Sequence, residues 1–309
     1  MQRHLLSISD LSSEEILKIL YKALDLKEEL KFEARLNYLL GKSCALIFEK
    51  PSLRTRVTFE LAITQLGGVP IYLTQSDIGL GKREAISDIA RNLSRWVNGI
   101  IARTYAHKTL LELAQYSTIS VINALSDLEH PCQALADFLT IYEKRGKLEG
   151  TKLAWVGDGN NVCHSLMLGA ALLGMTMKIA TPKGYEPNPS ILTKAQEYAI
   201  RNNAKLIITN DPKEAVKDSE FIYTDTWISM GQEAEVDIRR QIFRPFQVNK
   251  ELLSYAPHNY YIMHCLPAHR GEEITDEVLD GPHSIVLDQA ENRLHVQRAV
   301  LFLLLTGRL

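Results

Sequence analysis

The feature that most restricts the fold is a regular alternation of short β-rich apolar runs with longer helical patterns along 309 residues. β-Rich runs occupy 43–48, 69–73, 99–102 and 119–122, and helical patterns fill roughly 52–66, 84–97, 108–116 and 131–145. A second series of runs follows at 152–156, 177–180, 205–208, 220–223 and 260–263. A last run at 284–287 precedes a terminal helix expected to begin near Ala290. Strand and helix in alternation are the signature of βαβ units on a parallel sheet. A chain of this length exceeds what one core usually supports. The expected fold is therefore α/β, with two doubly wound parallel-sheet domains. The Gly146-Lys147-Leu148-Glu149-Gly150 turn marks their boundary, giving domains 1–147 and 148–289.

Composition narrows the function. Hydrophobic residues make up 46 % and charged residues 23 %, as in an ordinary globular protein. Basic and acidic residues nearly balance, 35 against 37, so neither nucleic acid nor membrane is an expected partner. Ala299-Val300-Leu301-Phe302-Leu303-Leu304-Leu305 is too short to cross a bilayer, and Met1 to Ser7 does not read as a signal peptide. Cysteines 44, 132, 163 and 265 form neither a C-x-x-C pair nor zinc-ligand spacing. Scattered thiols of this kind fit a reducing cytoplasm.

Ligands of open parallel sheets bind beyond the carboxyl ends of the strands. In this chain those positions hold Glu49 to Arg56, Arg103, Gly157-Asp158-Gly159-Asn160-Asn161, Thr224-Asp225-Thr226-Trp227 and His264-Cys265-Leu266-Pro267. Anion binders, carboxylates, amides and a thiol after five strands of both halves predict one interdomain active-site cleft.

Each stretch has a specific chemistry and a plainer alternative. Pro51-Ser52-Leu53-Arg54-Thr55-Arg56 opens a helix directly after a strand, where a hydroxyl, backbone N–H groups and the helix dipole favour an anion. Arg54 and Arg56 lie two apart, so one can clamp a phosphate while the other forms an ion pair. Otherwise they are surface arginines on a capped helix. His130 and Gln133 share one face at a helix start that has Pro131 in first position. They offer a donor to a carbonyl and an acceptor to an amide, or else a cap and a solvated side chain.

Gly157-Asp158-Gly159-Asn160-Asn161-Val162 has the first two glycines of a dinucleotide turn, but Val162 occupies the third position. A dehydrogenase is therefore disfavoured, and a turn that places Asn161 at a helix start is expected. Asp225-Thr226-Trp227-Ile228-Ser229-Met230-Gly231 suits an amine-bearing substrate, or is an ordinary turn. In His264-Cys265-Leu266-Pro267-Ala268-His269, the histidine spacing makes no standard zinc site, and a functional thiol competes with an inert buried one. Arg293, on the terminal helix, faces either the cleft or solvent.

Together these motifs resemble the aspartate/ornithine carbamoyltransferase family, and within it the ornithine branch. S-x-R-T-R from Ser52 and H-P-x-Q from His130 carry the family, while Asp225 with Ser229-Met230-Gly231 and the His264 to Pro267 stretch carry the branch. The likeness runs from Ser7 to the terminal helix. It implies transfer of a carbamoyl group from carbamoyl phosphate to L-ornithine, with neither cofactor nor metal. Ser52, Leu53, Arg54, Thr55, Arg103, His130, Gln133, Cys265, Leu266 and Arg293 would bind carbamoyl phosphate. Asn161, Asp225, Ser229 and Met230 would bind ornithine, and Cys265, Arg54, Arg103 and His130 would be catalytic. The resemblance also implies a trimer or an oligomer of trimers, and a C-terminal helix, 290–309, packing back on the carbamoyl-phosphate domain. Many members of the branch have Gln or His where this chain has Gly79, on a loop that reaches the neighbouring subunit; Lys82 or Arg83 is the candidate substitute. A carbamoyltransferase for putrescine or aspartate is the nearest alternative.

Overall fold

A helix absent from the expected pattern precedes the first strand. α1 (Ser13–Phe32) buries Ile16, Ile19, Leu20, Ala23 and Leu26, a spacing of three and four that marks one helical face. Glu14 and Glu15 in its first turn and Lys31 in its last complement the helix dipole. The computed structural model describes residues 3–32, 35–228 and 233–309.

Next come β1 (Ser43–Phe48), α2 (Leu53–Gln65), β2 (Val69–Thr74), α3 (Gln75–Ile78), α4 (Ile86–Trp96), β3 (Gly99–Arg103), α5 (His107–Tyr116), β4 (Ser120–Leu125) and α6 (Pro131–Arg145). The four strands form a sheet in the order β2-β1-β3-β4, every pairing parallel. All of β3 and five of six residues in β1 are buried, whereas the edge strand β2 is at least partly exposed throughout. Burial on both faces explains why the inner strands read as unbroken apolar runs.

The second series is β5 (Lys152–Val156), α7 (Asn161–Leu172), β6 (Thr176–Ala180), α8 (Pro189–Arg201), β7 (Lys205–Thr209), α9 (Pro212–Val216), β8 (Phe221–Thr224), α10 (Val236–Phe243), α11 (Lys250–Leu253), β9 (Tyr261–His264) and α12 (Asp276–Leu279). Its five parallel strands are ordered β7-β6-β5-β8-β9. The chain thus divides into two units, Met1–Leu139 with Glu291–Leu309, and Thr140–Ala290.

The run at 284–287 is not a strand. Ser284 makes a single bridge to Ile262, and α13 (Val286–Leu305) begins two residues later, ahead of the expected start near Ala290. A short apolar run such as Ile285-Val286-Leu287 suits either structure, and the bond from Gln289 N to Ile285 O makes it the first helical turn. Further along, a Cβ on Gly99 would lie 2.9 Å from Leu305, so glycine permits α13 to pack close to β3 in the first unit.

Strand order locates the ligand positions. In the first sheet the order reverses between β1 and β3, and in the second between β5 and β8. These are the switch points at which α/β sheets bind ligands. Arg103, Asp158 and Asp225 stand at or just beyond their carboxyl ends.

Candidate functional site

In the first unit, Ser52 caps α2 by accepting from Thr55 N at 3.2 Å, which uses the Thr55 backbone donor and turns its side chain inward. Thr55 is fully buried, and its Oγ1 accepts from Arg293 Nη2 at 2.7 Å and from Arg103 Nη1 at 3.4 Å. One hydroxyl therefore joins the end of β3 to α13, and both arginines are buried. Arg54 is half-buried and the Leu53 side chain is exposed. Arg56 forms the surface ion pair, with Glu60 at 3.3 Å, and lies 3.7 Å from the centre of the Tyr72 ring. Arg56 is thus occupied at the surface of the unit.

His130 stands on a turn held from behind: Glu129 accepts from Ile8 N at 3.0 Å, and Ser126 Oγ accepts from Glu129 N at 3.2 Å. Its carbonyl accepts from Gln133 N and Ala134 N, which starts α6. Burial, then the Arg293 and Arg103 charges, hold its imidazole well below the usual histidine value. The ring is neutral at physiological pH and can offer an N–H without carrying charge. Gln133 Nε2 donates to Asp137 at 2.8 Å, while its Oε1 is buried without a hydrogen bond among the described residues. That oxygen is an acceptor suited to an amide. Cys132 belongs to the core, its thiol pushed up to about 12 by burial.

In the second unit, Trp155 donates its indole N–H to Asp158 O at 2.9 Å and so fixes the turn after β5. The reason for the second glycine is now visible. A Cβ at Gly159 would come within 2.4 Å of Pro187 N, so the turn accommodates the 185–187 backbone. Asn160 caps α7, with Oδ1 accepting from Val162 N at 3.0 Å and Cys163 N at 3.1 Å, and the next residue, Asn161, is half-buried.

Asp225 is buried at the end of β8. Its Oδ1 accepts from Thr226 N at 2.8 Å and from the Cys265 thiol at 3.0 Å, and its Oδ2 accepts from Asn160 Nδ2 at 2.8 Å. Cys44, Cys132 and Cys163 are buried, whereas Cys265 is half-exposed. His264 supports the turn that follows. Its Nδ1 accepts from Leu266 N at 2.9 Å, so Nε2 carries the proton and donates to the buried Glu273 at 3.0 Å. Donor atoms of Asp225, His264 and Cys265 lie within 4.8 Å of one another, but both His264 nitrogens are already engaged. That argues against a metal ligand at His264.

The structure thus brings together Ser52, Thr55, Arg103 and Arg293 in one unit, where His130 feels both arginine charges, and Asp225 with Cys265 in the other. Ser229 and Met230 lie outside the described residues. Sequence reasoning missed Asn160, although an Asn at a helix start was a legible cap signal. It also missed Arg239, which donates to Asp158 Oδ2 at 3.2 Å and to Trp227 O at 2.8 Å.

Burial pushes the Asp158 carboxyl up to about 6, against the opposing pull of Arg239. The folded value exceeds the ordinary one, so this group's stability contribution is full below about 4 and lost as pH rises through about 6. Asp158→Asn cannot ionise. Its Tm should rise relative to the parent between about pH 4 and 7, and a difference independent of pH would contradict the assignment.

Each of the two parallel α/β units carries a polar set at its switch point. The chain belongs to the aspartate/ornithine carbamoyltransferase family: residues 3–143 match its carbamoyl-P binding domain and residues 149–304 its Asp/Orn binding domain. It is 56 % identical over 303 residues to an ornithine carbamoyltransferase of Archaeoglobus fulgidus, covering 98 % of this chain and 97 % of that protein. The crystal structure of ornithine carbamoyltransferase from Pyrococcus furiosus is similar, with a TM-score of 0.96 at 53 % identity, covering 99 % of this chain and 97 % of that one. An anabolic ornithine carbamoyltransferase of Campylobacter jejuni superimposes with a TM-score of 0.93 at 40 % identity, each chain covered completely.

Proposed function

We propose that this chain transfers the carbamoyl group of carbamoyl phosphate to the side-chain amine of L-ornithine, giving L-citrulline and phosphate. The observation that carries the choice of acceptor is the buried Asp225 carboxylate joined to the Cys265 thiol. A fixed negative charge beside a thiol suits an alkyl ammonium and disfavours an acceptor as acidic as aspartate. Likeness to the ornithine carbamoyltransferases supports the same reading.

In this proposal Ser52, Leu53, Arg54, Thr55 and Arg103 hold the phosphate. His130, Gln133, Arg293 and the Cys265–Leu266 backbone serve the carbamoyl end, and Asn161, Asp225, Ser229 and Met230 hold ornithine. Arg54, Arg103, His130 and Cys265 are the catalytic groups. The amine nitrogen attacks the carbonyl carbon, negative charge grows on the carbonyl oxygen, and donors aimed at that oxygen and at the phosphate lower the barrier. Two protons must leave the nitrogen. The first leaves to solvent before attack and costs about 3 pH units at neutral pH, roughly 4–5 kcal/mol. The second goes to the departing phosphate oxygen as the carbon–oxygen bond breaks. Phosphate release measured with ornithine, putrescine and aspartate tests the acceptor. Ornithine should give the highest kcat/KM, and a preference for either alternative would overturn the reading.

We further propose that the enzyme works as a trimer, or an assembly of trimers, in the cytoplasm. No helix among the described residues is long and apolar enough to cross a membrane. The first unit exposes Leu53, Leu61, Val69 and Trp96 at 74, 43, 58 and 70 %, and it has a 330 Å³ cavity lined by Ile71, Leu73, Leu93 and Trp96. Exposed apolar groups in such number favour an interface. Gly79 has φ +58°, and a Cβ there would meet the Arg83 Cβ at 2.6 Å, so the turn itself excludes the longer side chain of other branch members. Lys82 and Arg83 are exposed beside it. The double substitution Lys82→Ala with Arg83→Ala should lower activity and leave the trimer intact. Subunit exchange with a nearly inactive Arg54→Ala protein should then restore activity, because mixed trimers pair an intact loop with an intact Arg54. Proven exchange without recovery would show that the loop serves its own subunit.

A further inference from the structure

We infer that Asn160 is a positioning residue that sets which oxygen of Asp225 receives the substrate amine. The inference rests on the reading of Asp225 as the ornithine-side carboxylate and goes one residue deeper.

The cap on α7 decides the orientation of the Asn160 amide. Only its oxygen can accept from Val162 N and Cys163 N, so its Nδ2 must be the end directed at Asp225 Oδ2, 2.8 Å away. α7 is twelve residues long, and two of its first backbone N–H groups are satisfied by this one side chain. The amide is thereby fixed by the helix, and the carboxylate by the amide.

Asp225 is pinned at both oxygens. Thr226 N and the Cys265 thiol fill two acceptor directions on Oδ1, and Asn160 fills one on Oδ2. A carboxylate has about four such directions, so among the described residues the one left for an ammonium is on Oδ2. Without Asn160 only the Oδ1 contacts would hold the carboxylate plane, and rotation about the terminal bond is soft. The amine would still find a negative charge, but not at a fixed place. Asn160 therefore acts on turnover through Asp225, whose three partners, Asn160, Thr226 and Cys265, lie beyond the ends of β5, β8 and β9.

Two variants separate this role from simple helix capping. Asn160→Ser and Asn160→Asp both keep a good cap acceptor, and both replace the amide N–H that reaches Asp225. Positioning predicts that each folds with nearly the parental Tm, binds carbamoyl phosphate within about twofold of the parent and loses at least about tenfold in kcat. In Asn160→Asp the acidic limb of the pH–rate profile should also move to higher pH, because two carboxylates about 3 Å apart share a proton. Parental kcat and an unmoved pH profile in both variants would overturn the inference and leave capping as the only role. Asp225→Asn, assayed in parallel, distinguishes the two levels. If it alone is impaired, the inference about Asn160 fails; if it too is unimpaired, the reading of Asp225 fails.

Discussion

Arg103→Ala should fold normally and lose carbamoyl transfer by about 10²–10³-fold or more, the range seen when a donor to developing oxyanion charge is removed. Arg103 ends β3 at the switch point of the first sheet, is 7 % exposed, and donates to the buried Thr55 hydroxyl. Truncation leaves Thr55 with its shorter bond to Arg293, so the fold keeps that connection. What disappears is a fixed guanidinium, planar and able to bond two oxygens at once. Arg103→Lys restores the charge but not the fork, and should recover little of the loss. The imidazole of His130 should also become more basic in Arg103→Ala, because one of the two cations holding it neutral is gone. A full kinetic analysis with a Tm measurement checks all of this. Parental kcat and an unchanged KM for carbamoyl phosphate would show that Arg103 has a structural role only.

The second large effect is expected at Asp225. Asp225→Asn preserves size but removes the charge, and at its Oδ2 position it would place either an amide donor against the Asn160 donor or an oxygen of weaker basicity. Charge-assisted hydrogen bonds are worth about 1.5–3 kcal/mol, so ornithine kcat/KM should fall roughly 10- to 150-fold. Carbamoyl phosphate binding, followed by calorimetry, should hardly change. Cys265→Ala should share this pattern, with a smaller loss of ornithine affinity because Asp225 keeps its other two partners. Equal ornithine binding by the parent and both variants would mean that the amine is held elsewhere.

Much of the architecture was legible because local pattern and tertiary environment agree. β1, β3 and β4 are buried almost throughout, and each showed as an apolar run. Ser52, Arg103, Asp225 and Cys265 could be singled out because strand ends in parallel sheets are functional positions. The failures have equally local causes. Ile285-Val286-Leu287 reads as strand until one sees that a single bridge precedes the helical turn. Arg239 and Asp158 lie 81 positions apart, and nothing in either neighbourhood announces their pairing. Asn160 was passed over in favour of Asn161 because a cap and a ligand look alike in sequence; the hydrogen bond to Asp225, 65 positions away, separates them. Gly159 reads as the second glycine of an incomplete dinucleotide turn, and the 185–187 backbone explains it.

The fate of the carbamoyl carbon decides whether this chain joins carbamoyl phosphate to ornithine. Carbamoyl phosphate labelled with carbon-13 should be incubated with the purified protein and ornithine, and the products read by mass spectrometry alongside released phosphate. Labelled citrulline is expected in a one-to-one ratio with phosphate, with loss of both signals in Arg103→Ala. Phosphate released without labelled citrulline, or label passing to another acceptor in preference to ornithine, would contradict the proposed transfer.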